Sequence, residues 1–198
     1  MPSPANTTGE SAWERQMRKV WTTRGARLEA ARRLDRAGRA SRRVVTAISL
    51  VLLALTVVLF APGAVFDAAD RNLVELVAVI GSVSLLVVSS LESGKAYELR
   101  SDRHHRAALA LIRLYDTQKA SGTPDAQLLV KEYLTILEQY PDNHEPMDYL
   151  MFAACNPKDF EMEWGARAQA KVVWHFASQA PWLAAGMVAV PFVILVVI

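Results

Sequence analysis

Four histidines and one cysteine are the side chains in this 198-residue sequence most readily turned to catalysis or metal binding. His104 and His105 are adjacent, so on a helix they point about 100° apart and cannot share an ion. His144 stands among Asp142, Asn143, Glu145 and Asp148. A metal or general-base role there competes with a hydrogen-bonded turn that organises two helices, and the turn is the better reading. Cys155 has no second cysteine to pair with, which excludes an intrachain disulfide and a cysteine-built metal site and fits a reducing compartment. The chain carries no nucleophile elbow, phosphate loop, dinucleotide glycine fingerprint or zincin pair. No catalytic, cofactor-binding or metal-ligating residue is expected, and the chain reads as a non-enzyme.

The elements that hold these residues are set by three apolar runs. Apolar residues make up 52% of the chain, but they are concentrated. Val44 to Ala61 is uncharged, Leu73 to Leu91 is interrupted only by Glu75, and Pro181 to Ile198 is apolar to the chain end. A spanning helix needs roughly 20 such residues to cross about 30 Å of hydrocarbon. Runs one and two meet this with help from their flanks. The third, at about 1.5 Å per residue, reaches roughly 27 Å and is marginal. A cleaved signal peptide is rejected for run one, because its basic leader would be far too long and a second span follows at once. The expected class is therefore an all-α membrane protein. Residues 1–10 are a disordered start, 11–43 a basic amphipathic helix and 44–91 a transmembrane hairpin with spans at 44–61 and 73–91. Residues 92–173 are a cytoplasmic helical domain, and 174–198 a C-terminal third transmembrane segment.

Charge sets the orientation. The net charge is only +2, yet residues 1–43 hold 11 basic against 4 acidic residues, about +7, while residues 92–171 hold 10 against 13, about −3. Lys and Arg near spans mark the cytoplasmic side. Seven arginines from Arg27 to Arg43 precede the first run, and the loop 62–72 carries only Arg71. Lys95, Arg100, Arg103 and Arg106 follow the second run. The arm and the middle block of this multi-pass chain are thus placed in the cytoplasm, with the hairpin loop outside.

Local signals divide the rest. Ser11 and Glu14 match a capping box. Trp13, Met17, Val20, Leu28, Ala31 and Leu34 then follow helical spacing opposite an arginine-rich face. Such a helix can lie on an anionic membrane surface or pack on the cytoplasmic helices, and the two readings are compatible. Pro62 and Gly63 stop the first span, and Asp67, Asp70 and Asn72 read as a wet turn. Past Leu91 nothing but Gly94 interrupts the pattern, so the second span is expected to continue to about Lys119. Thr123 and Pro124 read as an N-cap and first-turn pair. Leu129, Tyr133, Ile136 and Tyr140 form the stripe of the next helix. Met147 to Cys155 is a short apolar helix, and a last helix from about Asp159 carries Phe160, Trp164 and Ala168. Four short helices make a thin core, which the membrane or other subunits are expected to complete.

Ala78, Ser82 and Ser89 fall on one face of the second span, and Thr46, Ser49 and Thr56 form a thinner polar line on the first. Small and hydroxyl residues let helices pack closely, or line a water-filled path in an oligomer. Both readings stay open. Glu75 sits near the outer end of its span, where it reaches water. The basic arm lacks the interleaved aromatics of a nucleic-acid surface beyond Trp13 and Trp21.

Several segments together resemble the SLATT family, the two-transmembrane effector domains associated with nucleotide-signal synthases and sensors. They are WTTRGARLEAARRL before the first span, the Ser90–Arg100 stretch, the Arg103–Tyr115 stretch, and YPDNHEPMDY from Tyr140 to Tyr149, the last similar to the fifth subgroup. The matching positions are Tyr97, Arg100, Tyr115, Asn143, His144, Asp148 and Tyr149, for which the family supplies no established chemistry. The resemblance implies a homo-oligomeric membrane effector of bacterial conflict or antiphage systems, one that perforates or perturbs the bilayer when a partner detects infection. A nucleotidyltransferase or reverse transcriptase encoded nearby is the implied partner. The competing reading is a membrane anchor or scaffold that recruits a soluble enzyme through residues 92–171.

Overall fold

The computed structural model describes residues 9–60, 68–121 and 124–182. The expectations of a disordered start over residues 1–8, the Pro62–Gly63 stop with Asp67, the Thr123 cap and the third span beyond Trp182 lie outside the described residues. Those residues form six helices and no strand: α1 (Ala12–Phe60), α2 (Ala68–Gly94), α3 (Tyr97–Ala120), α4 (Ala126–Gln139), α5 (Pro146–Cys155) and α6 (Trp164–Ser178). They divide into two compact units. The first joins the chain up to Arg36 with Tyr97–Ser178, and the second takes Ala37–Ala96 with the chain after Ser178.

The first unit starts with the expected capping box. The Ser11 amide donates to Glu14 Oε2 at 2.8 Å, and the Glu14 amide donates to Ser11 Oγ at 3.2 Å. The backbone N–H of Ser11 is the first cause that holds the Glu14 carboxyl below its ordinary range. From there α1 is uninterrupted, so the basic arm and the first apolar run are one helix of 49 residues. Its stripe Met17, Val20, Ala26, Ala30, Ala31 and Leu34 is buried. Met17 and Val20 cluster with Leu111 and Leu114 of α3 and Leu129 and Tyr133 of α4. Of the two expectations for the arm, packing on the helical domain is the one the burial supports. The arm thereby supplies part of the core that the four short helices lack.

Three local boundaries differ from expectation. α4 is capped by Asp125, whose Oδ1 accepts from the amides of Gln127 and Leu128 at 2.9 and 3.0 Å. An aspartate meeting two orphan amides is a strong N-cap. Phe160 precedes α6 rather than riding on it. It packs with Trp21, Phe152 and Tyr149 at ring centroid distances of 5.9, 5.8 and 5.9 Å. Asp70 and Asn72 lie inside α2 rather than in the expected wet turn.

The second unit is built differently. Val44 and Leu59 of α1 and Val74, Val77 and Ala78 of α2 are buried, with Ile48, Leu52, Leu55 and Thr56 half-buried at the same helical spacing. A Cβ added to Gly81 would lie 2.8 Å from Leu52 Cδ2, so α1 and α2 approach closely there. The outer faces are apolar: Leu50, Val51, Leu53, Val57 and Phe60 on α1, and Leu76, Val79, Val83, Leu86 and Leu91 on α2, are exposed. α1 and the segment Arg71–Ala120 are each long and apolar enough to cross a membrane. Only 11% and 22% of their most apolar windows is buried, unlike the core helix of a soluble protein.

The second span does not run on as one helix. α2 ends in two tight turns, the Lys95 amide donating to Glu92 O and the Ala96 amide to Ser93 O, both at 3.2 Å. Ala96 takes a left-handed conformation with φ 47°, and α3 begins at Tyr97.

Candidate functional site

The polar centre of the first unit is a buried junction where α1 meets the 140–148 turn, α3 and α5. Pro146 sits in the first turn of α5, where its missing amide costs nothing. This turn sets Asp148, fully buried, against α1. Arg33 donates to Asp148 through Nε at 2.8 Å and Nη2 at 3.0 Å, a bidentate pair. The Glu145 amide donates to Asp148 Oδ2 at 3.1 Å, and Arg33 Nη2 also reaches Glu145 Oε1 at 2.9 Å. Burial acts against the Arg33 charge. The hydrogen bond and charge of Asp148, joined by Glu145, outweigh it and raise the guanidinium above its ordinary value.

Six residues earlier on α1, Arg27 is also buried. Its Nη2 donates to the Tyr140 carbonyl at 3.0 Å, while Nε and Nη1 have no hydrogen-bond partner among the described residues. Burial pushes this guanidinium below its ordinary value, against the pull of Tyr133 and Asp142. His104 is buried beside it. Burial and then the Arg27 charge hold its imidazole below the usual histidine range, with Asp142 and Asp148 opposing and Arg100 adding to the depression. His144 is held low by burial and by Arg27, with Asp148 opposing. Three further ties close the junction. Ser101 Oγ donates to Ala31 O at 2.9 Å, Arg103 reaches Asp142 at 3.5 Å, and the hydroxyls of Thr23 and Tyr133 share a 3.1 Å bond.

The structure brings four of the seven motif residues together. Asn143 Oδ1 accepts the His144 amide at 3.0 Å, and Asp148 and Tyr149 follow on α5. Burial raises the Tyr149 phenol, whose ring stands edge-on to Phe160. Arg100 is exposed at the head of α3 but bears electrostatically on His104. Tyr97 is half-buried at the first position of α3. Tyr115 sits apart, half-buried against the Met17–Leu111 cluster with the Arg24 guanidinium 5.1 Å from its ring centroid. Arg27 and Arg33 were read from the sequence only as members of the arginine face and of the seven arginines that set the orientation, not as site residues. The signal that could have found them is the opposite charge of the arm and the middle block.

Burial varies along the two polar lines of the spans: Ala78 is buried, Thr56 and Ser89 are half-buried, and Thr46, Ser49 and Ser82 are exposed. Ser49, Thr56 and Ser82 donate to the carbonyls of Val45, Leu53 and Ala78 at 2.8, 2.7 and 2.8 Å, so each satisfies its hydroxyl within its own helix. That arrangement suits an apolar surrounding. Glu75 is exposed and pairs with Arg71 at 3.3 Å. Among the described residues no group of three or more His, Cys, Asp or Glu is placed to hold a metal ion.

Two long apolar helices followed by this motif-bearing helical unit match a known pattern. The family model described as SMODS and SLOG-associating 2TM effector domain family 5 covers residues 10–197. The chain belongs to this family. As a SLATT protein it is a two-transmembrane effector domain of conflict systems, and the exposed apolar faces of α1 and α2 are the surfaces such a role requires. Neither the comparison with curated proteins nor that with solved structures gives a match.

Proposed function

We propose that this SLATT protein is an oligomeric effector of a bacterial antiphage or conflict system, which forms a pore or disrupts the inner membrane when triggered through its helical unit. The observation that carries the reading is the double character of α1. The same helix holds the buried Arg33–Asp148 pair and, farther along, an exposed apolar face of spanning length. A signal that loosens α1 in the helical unit therefore acts on an element that belongs to the membrane hairpin. The action is physical rather than catalytic, the helical unit and the N-terminus lie in the cytoplasm, and the trigger comes from a partner encoded nearby, a nucleotidyltransferase or a reverse transcriptase. Nucleic acid is not bound directly.

The test is membrane potential, followed with a voltage-sensitive dye in bacteria expressing the chain with and without its genomic neighbour. Depolarisation with loss of viability in either condition supports the reading. A stable potential in both rejects it. Ser82→Leu with Ser89→Leu refines the test: lowered conductance with assembly intact places these hydroxyls on the conducting path, and unchanged conductance removes them from it.

One observation favours the scaffold alternative. A groove of about 500 Å³ between α5 and α6 is lined by Met147, Leu150, Met162, Ala166 and Val173 together with Glu161 and Glu163. Stable capture of a named soluble neighbour, with unchanged membrane potential, would decide for that alternative.

A further inference from the structure

The sequence sets only Trp13 and Trp21 among the cations of the arm, too few rings for an aromatic surface. The fold adds two more. Tyr115 comes from the last turns of α3 and Phe160 from the turn before α6, and with the two tryptophans they line a pocket of about 630 Å³ beside the start of α1. That volume falls in the range of roughly 300–1,000 Å³ common to small-ligand sites. Every residue that lines it belongs to the helical unit.

The aromatic wall is held in place before any ligand arrives. Phe160 is buried and backs the half-buried Trp21, with ring planes 14° apart and centroids 5.9 Å apart. Phe152 meets Trp21 edge-on at 4.8 Å. Trp13 and Tyr115 pack against the Met17–Leu111 cluster yet stay half-buried. Rings fixed in this way lose little freedom when a flat group stacks on them.

The rest of the lining carries charge. Arg18, Lys119 and Lys158 stand there with Glu14 and Asp159. Glu14 is already engaged by the Ser11 amide, and Arg18 by Glu10 at 2.6 Å. Lys119 and Lys158 are exposed and make no ion pair or side-chain hydrogen bond among the described residues, with Asp159 opposing them. An ammonium is a compact point charge suited to phosphate oxygens. Aromatic faces beside unengaged ammonium groups fit a ligand that is flat at one end and anionic at the other.

We propose that this pocket binds a nucleoside phosphate, its base against the wall of Trp13, Trp21 and Tyr115 and its phosphates at Lys119 and Lys158. The inference goes beyond the membrane reading, and it holds whether the protein conducts ions or captures a partner.

The experiment is isothermal titration calorimetry on the full chain in lipid nanodiscs, with ATP and GTP as probes and adenosine and tripolyphosphate as their separate halves. At least one nucleotide should bind saturably below about 1 mM, and each half roughly tenfold or more weakly. Lys119→Glu with Lys158→Glu should weaken the nucleotide roughly tenfold or more and leave adenosine unchanged. Both positions are exposed, so thermal unfolding should not move. Trp13→Leu keeps an apolar side chain against the core and should weaken nucleotide and adenosine alike, roughly fivefold or more. No saturable binding of either nucleotide at several millimolar would overturn the site. So would tripolyphosphate binding as tightly as ATP, which would reduce it to an anion patch, or a single-stranded oligonucleotide binding more tightly than both nucleotides, which would make it a nucleic-acid surface.

Discussion

The two units of this SLATT protein follow opposite solvent logic. The helical unit buries arginine, histidine and aspartate, while the hairpin unit leaves leucine and valine exposed. In the first, polar groups are withdrawn from water and matched to one another, with Asp148 meeting Arg33 bidentately and Arg27 bonding a carbonyl. In the second, hydroxyls are matched to their own helix and the outer surface is left for hydrocarbon. The difference teaches where each unit is sensitive. One depends on specific partners, the other on its surroundings, and one helix belongs to both.

The largest effect that would separate the units comes from Asp148. Replacing it with alanine leaves the Arg33 charge buried with only the partly exposed Glu145, a loss of about 3–5 kcal/mol by the usual cost of breaking a buried pair. Denaturant unfolding followed by tryptophan fluorescence should show the helical unit melting early while far-ultraviolet signal from the hairpin persists. Removing both charges, with Arg33→Met and Asp148→Leu together, should recover most of that loss, since apolar replacement of a whole buried pair is often near neutral. If the single and double variants lose equally, the pair is not what holds α1 to α5.

Two glycines on α1 and α2 sharpen the contrast. A Cβ on Gly25 would lie 2.1 Å from the Phe152 ring, which is itself wedged edge-on against Trp21 at 4.8 Å. A rigid ring cannot yield, so Gly25→Ala should cost about 1–3 kcal/mol or more. At Gly81 the neighbour is the tip of a flexible leucine, so Gly81→Ala should cost under about 1 kcal/mol, partly offset by alanine's better helix propensity. Thermal unfolding of both variants in one detergent checks the ranking. Equal costs would mean that the hairpin is packed as rigidly as the helical unit.

How far the sequence announced this contrast depended on whether a signal was local. The capping box, the helices over the two long apolar runs, the α4 stripe through Leu129, Tyr133 and Ile136, and the helical α5 all follow from spacing within one turn or one face, and the structure reproduces them, while Tyr140 falls at the C-cap rather than within α4. The arginines of α1 were legible as a face but not as partners. A buried guanidinium and a solvated one have the same helical spacing, and only the position of Asp148 in three dimensions tells them apart. The break at Ala96 was illegible for a different reason: apart from Gly94 its residues favour a helix, so nothing in the local spacing marks Lys95 and Ala96 as its end. The polar line Ala78, Ser82 and Ser89 was read correctly as a spacing, yet it splits between buried and exposed, because the packed stripe through Val74, Val77, Ala78 and Gly81 drifts past it.

The subtlest expected effect is on pH. His104 faces Arg27, Arg100, Asp142 and Asp148, and His144 faces Arg27 and Asp148; in both, the folded-state pKa lies below the unfolded one. At pH values just under the unfolded histidine value of roughly 6.5, the unfolded chain therefore binds more protons than the folded one. Stability is complete above that value and is lost as pH falls through it toward the folded values, after which these two groups contribute no further change. The helical unit should accordingly unfold at lower denaturant concentration at pH 5.5 than at pH 7.5, a window above the range of ordinary carboxylates. The double variant His104→Gln, His144→Gln should flatten that dependence, whereas His105→Gln, at an exposed position, should leave it intact. If acid still lowers the midpoint equally in the double variant, the loss belongs to other groups, and the junction around Arg27 is indifferent to protonation.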